Sequence, residues 1–255
     1  MEEDFALLYG IMMGDGCIGK YKRKNRKNGF YYCVCITCNA NDDWPFVNSI
    51  VLPLLEKFVG RRINPRKPRK IKNVIDINFS GKELFKKLNK TGFPIGKKGP
   101  NLKIPEIFYE KDLIKQIIQG FFATDGSLVL TKNPNKYYPR LEFHCIHKEM
   151  LEQMFTFFKK EGFNVKLYKC KRKKPPIWKN EQQRYRIQMN GKKNLLLFKE
   201  KIGFVNPKQE RKFNLFLKYN KKYNEFIAGI PAKYQSQIRL KVNKAFFEKN
   251  GVEGI

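Results

Sequence analysis

Two stretches of the chain, LLYGIMMGDG at 7–16 and IIQGFFATDG at 117–126, follow the same pattern. Each is almost entirely apolar and ends in Asp-Gly, which predicts a buried helix closed by a glycine in a left-handed cap. Aligning Gly10 with Gly120 gives an offset of 110 residues and also places Asp15 on Asp125. The chain is therefore predicted to contain two copies of one structural unit.

The same repeat continues downstream of these helices. NFSGKELFKKL at 78–88 aligns with QMNGKKNLLLF at 188–198 at the same offset, and TGFPIGKK at 91–98 aligns with IGFVNPKQ at 202–209 at an offset of 111. Agreement at three separated places indicates duplication. Each half has the order helix, two strands, helix, two strands, helix. This predicts an α+β protein made of two pseudo-symmetric αββαββα domains with antiparallel sheets.

The expected elements follow from apolar periodicity in each half. In the first half they are 4–14, 17–24, 30–38, 43–59 (with a kink at Pro53), 62–68, 73–79 and a helix after Gly81. In the second half they are 111–124, 127–132, 139–146, 147–161, 163–171, 183–189 and a helix after Gly191. Domain boundaries are predicted at 1–105 (with a linker at 99–110) and 106–222. The tail at 223–255, which could form one more helix, has no assigned role.

The charge balance predicts a polyanionic partner. The 53 Lys and Arg against 23 Asp and Glu give a net charge of +30. Nucleic acid is the leading candidate and an anionic membrane surface the alternative, although the basic runs fall in predicted hairpins rather than on an amphipathic helix. No run approaches the ~18 apolar residues of a spanning helix, and the start MEEDFALL is not signal-like. We expect a soluble, cytoplasmic, nucleoid-associated monomer, with an organellar origin left open.

The six cysteines favour buried thiols in a reducing compartment. Cys33 and Cys35 alternate within YYCVCITC as in a strand with one buried face. A metal cluster with His144 and His147 is the alternative interpretation, but no second CxxC is present to pair with the one at Cys35 and Cys38. We therefore treat these residues as structural.

The repeated helix carries the chemistry. Gly10 and Gly14 are four residues apart, as are Gly120 and Thr124, so small residues share one face and allow two helices to approach closely. An aspartate at the end of each helix would then meet its counterpart at two negative helix ends, which is repulsive without a cation. Mg²⁺, with Mn²⁺ as a substitute, is the cation that such carboxylates are expected to bind. The alternative is that Asp-Gly only terminates two core helices.

In LLYGIMMGDG and IIQGFFATDG, the chain resembles the LAGLIDADG homing endonucleases in their single-chain, two-motif form. The resemblance covers residues from about 5 to 215. GKKGPNLKIP is also similar to archaeal members. The resemblance implies two sheets forming a saddle over double-stranded DNA. It also implies metal binding by Asp15 and Asp125, assisted by the peptide oxygens of Gly14 and Thr124. It suggests catalytic lysines at Lys97 and Lys208, with Lys98 an alternative to Lys97.

The expected activity is a metal-dependent double-strand cut in a long asymmetric target, by an intron-encoded or free-standing enzyme. Basic hairpins that also carry Asn and Gln would read the DNA. The candidates are Lys22, Arg23, Arg26, Arg66, Arg69, Arg140, Arg172, Gln183 and Arg184. The alternatives are an intron maturase that binds RNA, or a DNA-binding relative that does not cut.

Overall fold

The computed structural model describes residues 1–22, 29–66, 73–131, 138–170 and 182–228, with side chains as far as 221. The described helices are α1 Glu2–Asp15, α2 Trp44–Phe46, α3 Leu52–Val59, α4 Lys82–Lys90, α5 Ile107–Glu110, α6 Ile114–Asp125, α7 Lys148–Lys160, α8 Gly191–Lys201 and α9 Pro207–Ala228. The strands are β1 Gly16–Lys22, β2 Phe30–Asn39, β3 Val74–Ser80, β4 Gly126–Thr131, β5 Tyr138–Cys145, β6 Val165–Lys169 and β7 Tyr185–Asn190.

The two halves build two antiparallel sheets, as the sequence predicts. The first has the order β1-β2-β3 and the second the order β4-β5-β7-β6. Side chains alternate between a face covered by helices and a face open to solvent: in β5, Leu141 and Phe143 are buried while His144 is exposed. The helix-covered faces and α1 and α6 share one core. The predicted α+β fold with two pseudo-symmetric halves is confirmed.

The helices α1 and α6 pack against each other at a pair of glycines. A Cβ atom added at Gly10 would lie 2.2 Å from the carbonyl oxygen of Ile117, and one added at Gly120 would lie 2.2 Å from that of Leu7. Both distances are far below van der Waals contact, so no side chain fits at either position. The prediction that small residues bring the two backbones together is confirmed.

The first half departs from the predicted pattern in two places. The strand predicted at 62–68 is wrong for its described part: residues 62–65 are not in a strand, and Arg66 forms a single bridge to Asp76. Pro65 has no N–H to donate to a ladder, which limits pairing there. The helix predicted at 43–59 is present, but it contains π-helical turns at Val47–Val51 just before Pro53. A proline ring excludes the carbonyl four residues earlier, so the wider turn replaces a sharp kink.

The segment predicted as a linker is a packed part of the protein. Leu102, Ile104 and Phe108 are buried in the common core. The side chain of Gln153 accepts a hydrogen bond from the Ile104 N–H (2.8 Å) and donates one to its carbonyl (2.9 Å). The connection therefore holds the two halves together instead of separating them.

The last described helix begins earlier than the predicted tail. α9 starts at Pro207, runs past residue 222 and contributes two buried phenylalanines, Phe213 and Phe216. Residues 229–255, the rest of the predicted tail, lie outside the described residues. In the described part of the chain, no helix combines the length and apolarity required to cross a bilayer.

Candidate active site

The C-terminal ends of α1 and α6 meet, and this brings Asp15 and Asp125 together. A Cβ atom placed on Gly14 would lie 2.0 Å from Thr124 Oγ1 and 3.6 Å from the carboxyl carbon of Asp125. Asp15 follows Gly14 directly, so the two acids share one site between the halves. No side chain fits at Gly14 because Thr124 occupies that space.

Each helix passes directly into the first strand of its sheet. Gly16 has φ −94° and Gly126 φ −86°, and both are extended. The predicted left-handed caps are therefore wrong. The glycines have another function: a Cβ at Gly16 would lie 2.5 Å from Met12 Sδ, and one at Gly126 would lie 2.1 Å from Phe122 Cδ2. The acids consequently stand at rigid helix–strand junctions.

The electrostatics of the pair favour a cation. Burial raises the pKa of Asp15 to about 7, with a further contribution from the negative charge of Asp125, while Lys98 opposes the rise. Asp125 reaches solvent on one side, but its surroundings still desolvate it and raise its pKa above the ordinary value. Two carboxylates that resist ionising together are the arrangement that a bound cation relieves.

Lys98, the alternative to Lys97, is the lysine that enters the site. Its ammonium donates to the carbonyl of Met13 at 2.8 Å and also to that of Gly14, so it caps the C-terminal end of α1. Burial lowers the pKa of Lys98, while Asp125 and Asp15 act in the opposite direction. Lys97 is exposed, and its predicted catalytic role stays a prediction.

The second half places a neutral amide where the first half has Lys98. At the repeat offset of 111, Lys98 corresponds to Gln209. Gln209 Nε2 donates to the carbonyl of Phe122 at 2.6 Å, and Asn206 Nδ2 donates to that of Ala123 at 2.8 Å. Both halves thus cap the helix that carries the acid, but only the first uses a charge.

Lys208 lines a cleft that also contains Thr124. Its ammonium is 3.5 Å from the carboxylate of Asp42, and Asp43 and Lys212 line the same cleft. Burial, together with the positive charge of Lys208, lowers the pKa of Lys212. Sequence reasoning missed Lys212 and Asp43. The four-residue spacing of Lys208 and Lys212 on α9 is the signal that could have identified the lysine.

The site suits a metal ion that is shared with a substrate. The described residues contain no cluster of three or more His, Cys, Asp or Glu side chains able to hold a metal. Mg²⁺ commonly uses one or two carboxylates and takes its remaining ligands from phosphate and water, so Asp15 and Asp125 suffice. The Gly14 carbonyl already accepts a hydrogen bond from Lys98 and keeps one lone pair. The roles predicted for Gly14 and Thr124 stay predictions.

The cysteines form no disulfide. All six are free thiols, and Cys33, Cys38 and Cys145 are buried. The pKa values of Cys38 and Cys145 are both raised to about 12 by burial, which keeps these thiols protonated. They behave as small apolar core residues next to the site.

The predicted DNA-reading residues fall into three groups. Lys22, Arg66 and Arg184 are exposed, although Lys22 shares the side of its strand with buried Ile18. Two others are held by protein contacts: Arg140 pairs with Glu142, and Gln183 donates to the carbonyls of Cys170 and Arg184. The remaining candidates lie outside the described residues; they are Arg23, Arg26, Arg69 and Arg172.

The chain matches one family model and several solved structures. Residues 112–203 match the model of the LAGLIDADG-like domain. No curated protein sequence matches the chain. Among solved structures, the homing endonuclease I-DmoI in complex with DNA and Ca aligns with a TM-score of 0.56 and 17% identity, covering 84% of this chain and 96% of its own. I-DmoI is also known in complex with DNA and Mn.

Two further structures align over nearly the whole chain. The meganuclease I-SmaMI, bound to uncleavable DNA, has a TM-score of 0.53 and 12% identity and covers 98% of both chains. The LAGLIDADG meganuclease I-AabMI, bound to uncleaved DNA, has a TM-score of 0.53 and 11% identity, covering 93% of this chain and 97% of its own. The resemblance indicated by the two motifs is confirmed, and the chain has the fold of the single-chain, two-domain homing endonucleases.

Proposed function

We propose that this protein is a DNA endonuclease that makes a site-specific, metal-dependent double-strand cut in a long asymmetric target. The observation that carries the proposal is the pair Asp15 and Asp125, held together at the ends of two packed helices. A purely structural helix stop does not need an acid at either position, and still less at both. The structural relatives bound to DNA support the choice of substrate.

The two acids would hold divalent metal ions against the scissile phosphates. When bound, such ions supply positive charge that stabilises the transition state of phosphodiester hydrolysis and lower the pKa of water. Asp15 must lose its proton before it can bind a metal, and its pKa of about 7 makes this step sensitive to pH near neutrality. We take Mg²⁺ as the working ion, with Mn²⁺ as a substitute.

The basic residues around the acids would bind the phosphates. Lys98 approaches from the first half, and Lys208 and Lys212 line the cleft beside Thr124. Positive charges fixed near a developing negative charge stabilise it without reorganisation. Because Lys98 corresponds to Gln209 in the second half, the two DNA strands would meet different groups. This inequality supports an asymmetric target.

Cleavage of a plasmid library with randomised inserts tests the proposal. With Mg²⁺, the wild-type protein is expected to linearise a subset of plasmids that share one long sequence, and chelation should stop the reaction. Asp15→Asn and Asp125→Asn should abolish double-strand cutting while DNA binding persists. Glu83→Gln removes the same charge at an exposed position and should cut normally.

Three outcomes would contradict the proposal. Normal cutting by either aspartate variant would contradict a shared site. Binding without any cutting would assign the protein to the non-cutting relatives of this fold. Affinity for DNA that does not fall with added salt would contradict the phosphate-binding surface, since neutralised phosphates release counterions.

A further inference from the structure

The solvent-facing side of the second sheet contains a buried carboxylate. Glu142 lies in the middle of β5 on the same face as Arg140 and His144, and its side chain is only 8% exposed. In register it stands opposite Ser127 of β4 and Gln188 of β7. Ser127 is two residues after Asp125, so Glu142 lies one strand away from the candidate active site.

Three cationic or donor groups surround this carboxylate. Arg140 Nε lies 2.7 Å from Glu142 Oε1, Arg186 Nη1 lies 3.6 Å from the same oxygen, and His144 Nε2 lies 3.2 Å from Oε2. The Arg186 guanidinium also lies over the ring of Tyr168, 5.1 Å from its centre. One carboxylate therefore restricts the orientation of two arginines.

The arginines keep unused hydrogen-bond donors. Arg140 is 32% exposed and Arg186 is 31% exposed, so both guanidinium groups reach the surface of the sheet. Arg140 Nε and Arg186 Nε are themselves buried and have no hydrogen-bond partner among the described residues. Arg140 approaches Glu142 through Nε and Arg186 through Nη1, both as ion pairs, so the exposed part of each guanidinium is what can contact an outside acceptor. An arginine held in this way can present its fork to an outside acceptor pair.

A carboxylate on this face is unfavourable for phosphate binding as such. In a chain of net charge +30, a surface that only attracted phosphates would gain from losing Glu142. Base reading has a different requirement, since the guanidinium must sit in the groove at a defined angle to contact guanine O6 and N7 together. A role in orienting the arginines therefore explains the buried acid on this face, whereas a role in attracting phosphates does not.

We propose that Glu142 is a positioning residue that orients Arg140 and Arg186 to read guanines in the major groove of the target. The proposal rests on the proposed function, because it requires double-stranded DNA on this face. Two strand spacings and the reach of an arginine place these contacts roughly 20 Å or less from Asp125. At 3.4 Å per base pair, this corresponds to guanines within about six base pairs of the cut.

Selection of bound sequences from a randomised double-stranded DNA library, with Ca²⁺ present, tests the assignment. The wild-type protein is expected to prefer guanine at defined positions near the cut. Glu142→Gln should lower that preference about tenfold at those positions only, with binding to unrelated DNA unchanged or stronger. Glu149→Gln removes the same charge from the exposed first turn of α7, on the helix-covered side of the sheet, and should leave the whole profile unchanged.

Arg186→Lys keeps the charge and the fold but loses the planar fork, so it provides a second test if Glu142→Gln unfolds. It should lose the guanine preference at the same positions while total affinity is retained. If both variants instead bind every DNA sequence more weakly by the same factor, the positioning role is overturned and the proposed function stays intact. A wild-type protein that binds no DNA would overturn both.

Discussion

Removing the negative charge of Asp15 should stabilise the protein when no metal is bound. This is unusual, because the loss of an acid from a strongly basic chain ordinarily does not stabilise it. The difference between the ordinary pKa of 3.8 and about 7 for Asp15 corresponds to about 4 kcal/mol against the ionised form. Asn has the shape of the protonated acid, so Asp15→Asn should remove this cost when no metal is present. Because Asp15 keeps some contact with water, we expect the free energy of unfolding to rise by about 1–2 kcal/mol at pH 8.

The stabilisation by Asp15→Asn should increase with pH. The folded protein holds the Asp15 proton more tightly than the unfolded chain, so the cost is absent near pH 4, grows as the pH rises, and is complete above about pH 7. Urea denaturation with a chelator, at pH values from 5 to 8, measures it as about 1–2 kcal/mol at the alkaline end.

A matched control separates this local effect from net charge. Glu83→Gln makes the same change in net charge at a side chain that is 80% exposed, and it should leave stability unchanged or slightly lower it. An Asp15→Asn variant that is less stable than the wild type at pH 8 without metal, or one whose gain is the same at pH 5, would refute the argument from two crowded carboxylates.

Metal binding, the packing of the two central helices and the buried lysine each give a further prediction, two of them with a control substitution. Ca²⁺ or Mg²⁺ should raise the Tm of the wild-type protein at pH 8 in a dye-based melting assay, and Asp125→Asn should abolish most of that increase. Gly10→Ala should destabilise the protein by about 3 kcal/mol or more in chemical denaturation, because its Cβ would meet the carbonyl of the facing helix at 2.2 Å. Gly60→Ala, with a φ of 70° and open space around it, should cost about 1 kcal/mol. Lys98→Met should move the acidic limb of the cleavage profile to higher pH, since Lys98 opposes the rise in the pKa of Asp15. Lys97→Met should leave the profile unmoved.

Features that repeat along the chain could be predicted from the sequence. The two apolar stretches ending in Asp-Gly, the duplicated order of helices and strands, and the meeting of Asp15 with Asp125 all follow from local periodicity and one offset. Such patterns are encoded by neighbours in the chain. The glycine caps were predicted wrongly, because the space around Gly16 is limited by the Met12 side chain and not by the backbone angle of the turn.

Contacts between residues that are distant in the chain depend on the folded molecule as a whole. The choice of Lys98 over Lys97 depends on which side chain reaches the carbonyls of α1, more than 80 residues away. The surroundings of Glu142 depend on the pairing of β5 with β7 across an intervening helix and strand. Neither follows from the sequence, because any of 53 basic residues could occupy such a place until strand register and helix packing bring particular atoms within bonding distance. Periodicity along a chain specifies which face a residue occupies, whereas its partners are selected by the folding of the whole molecule.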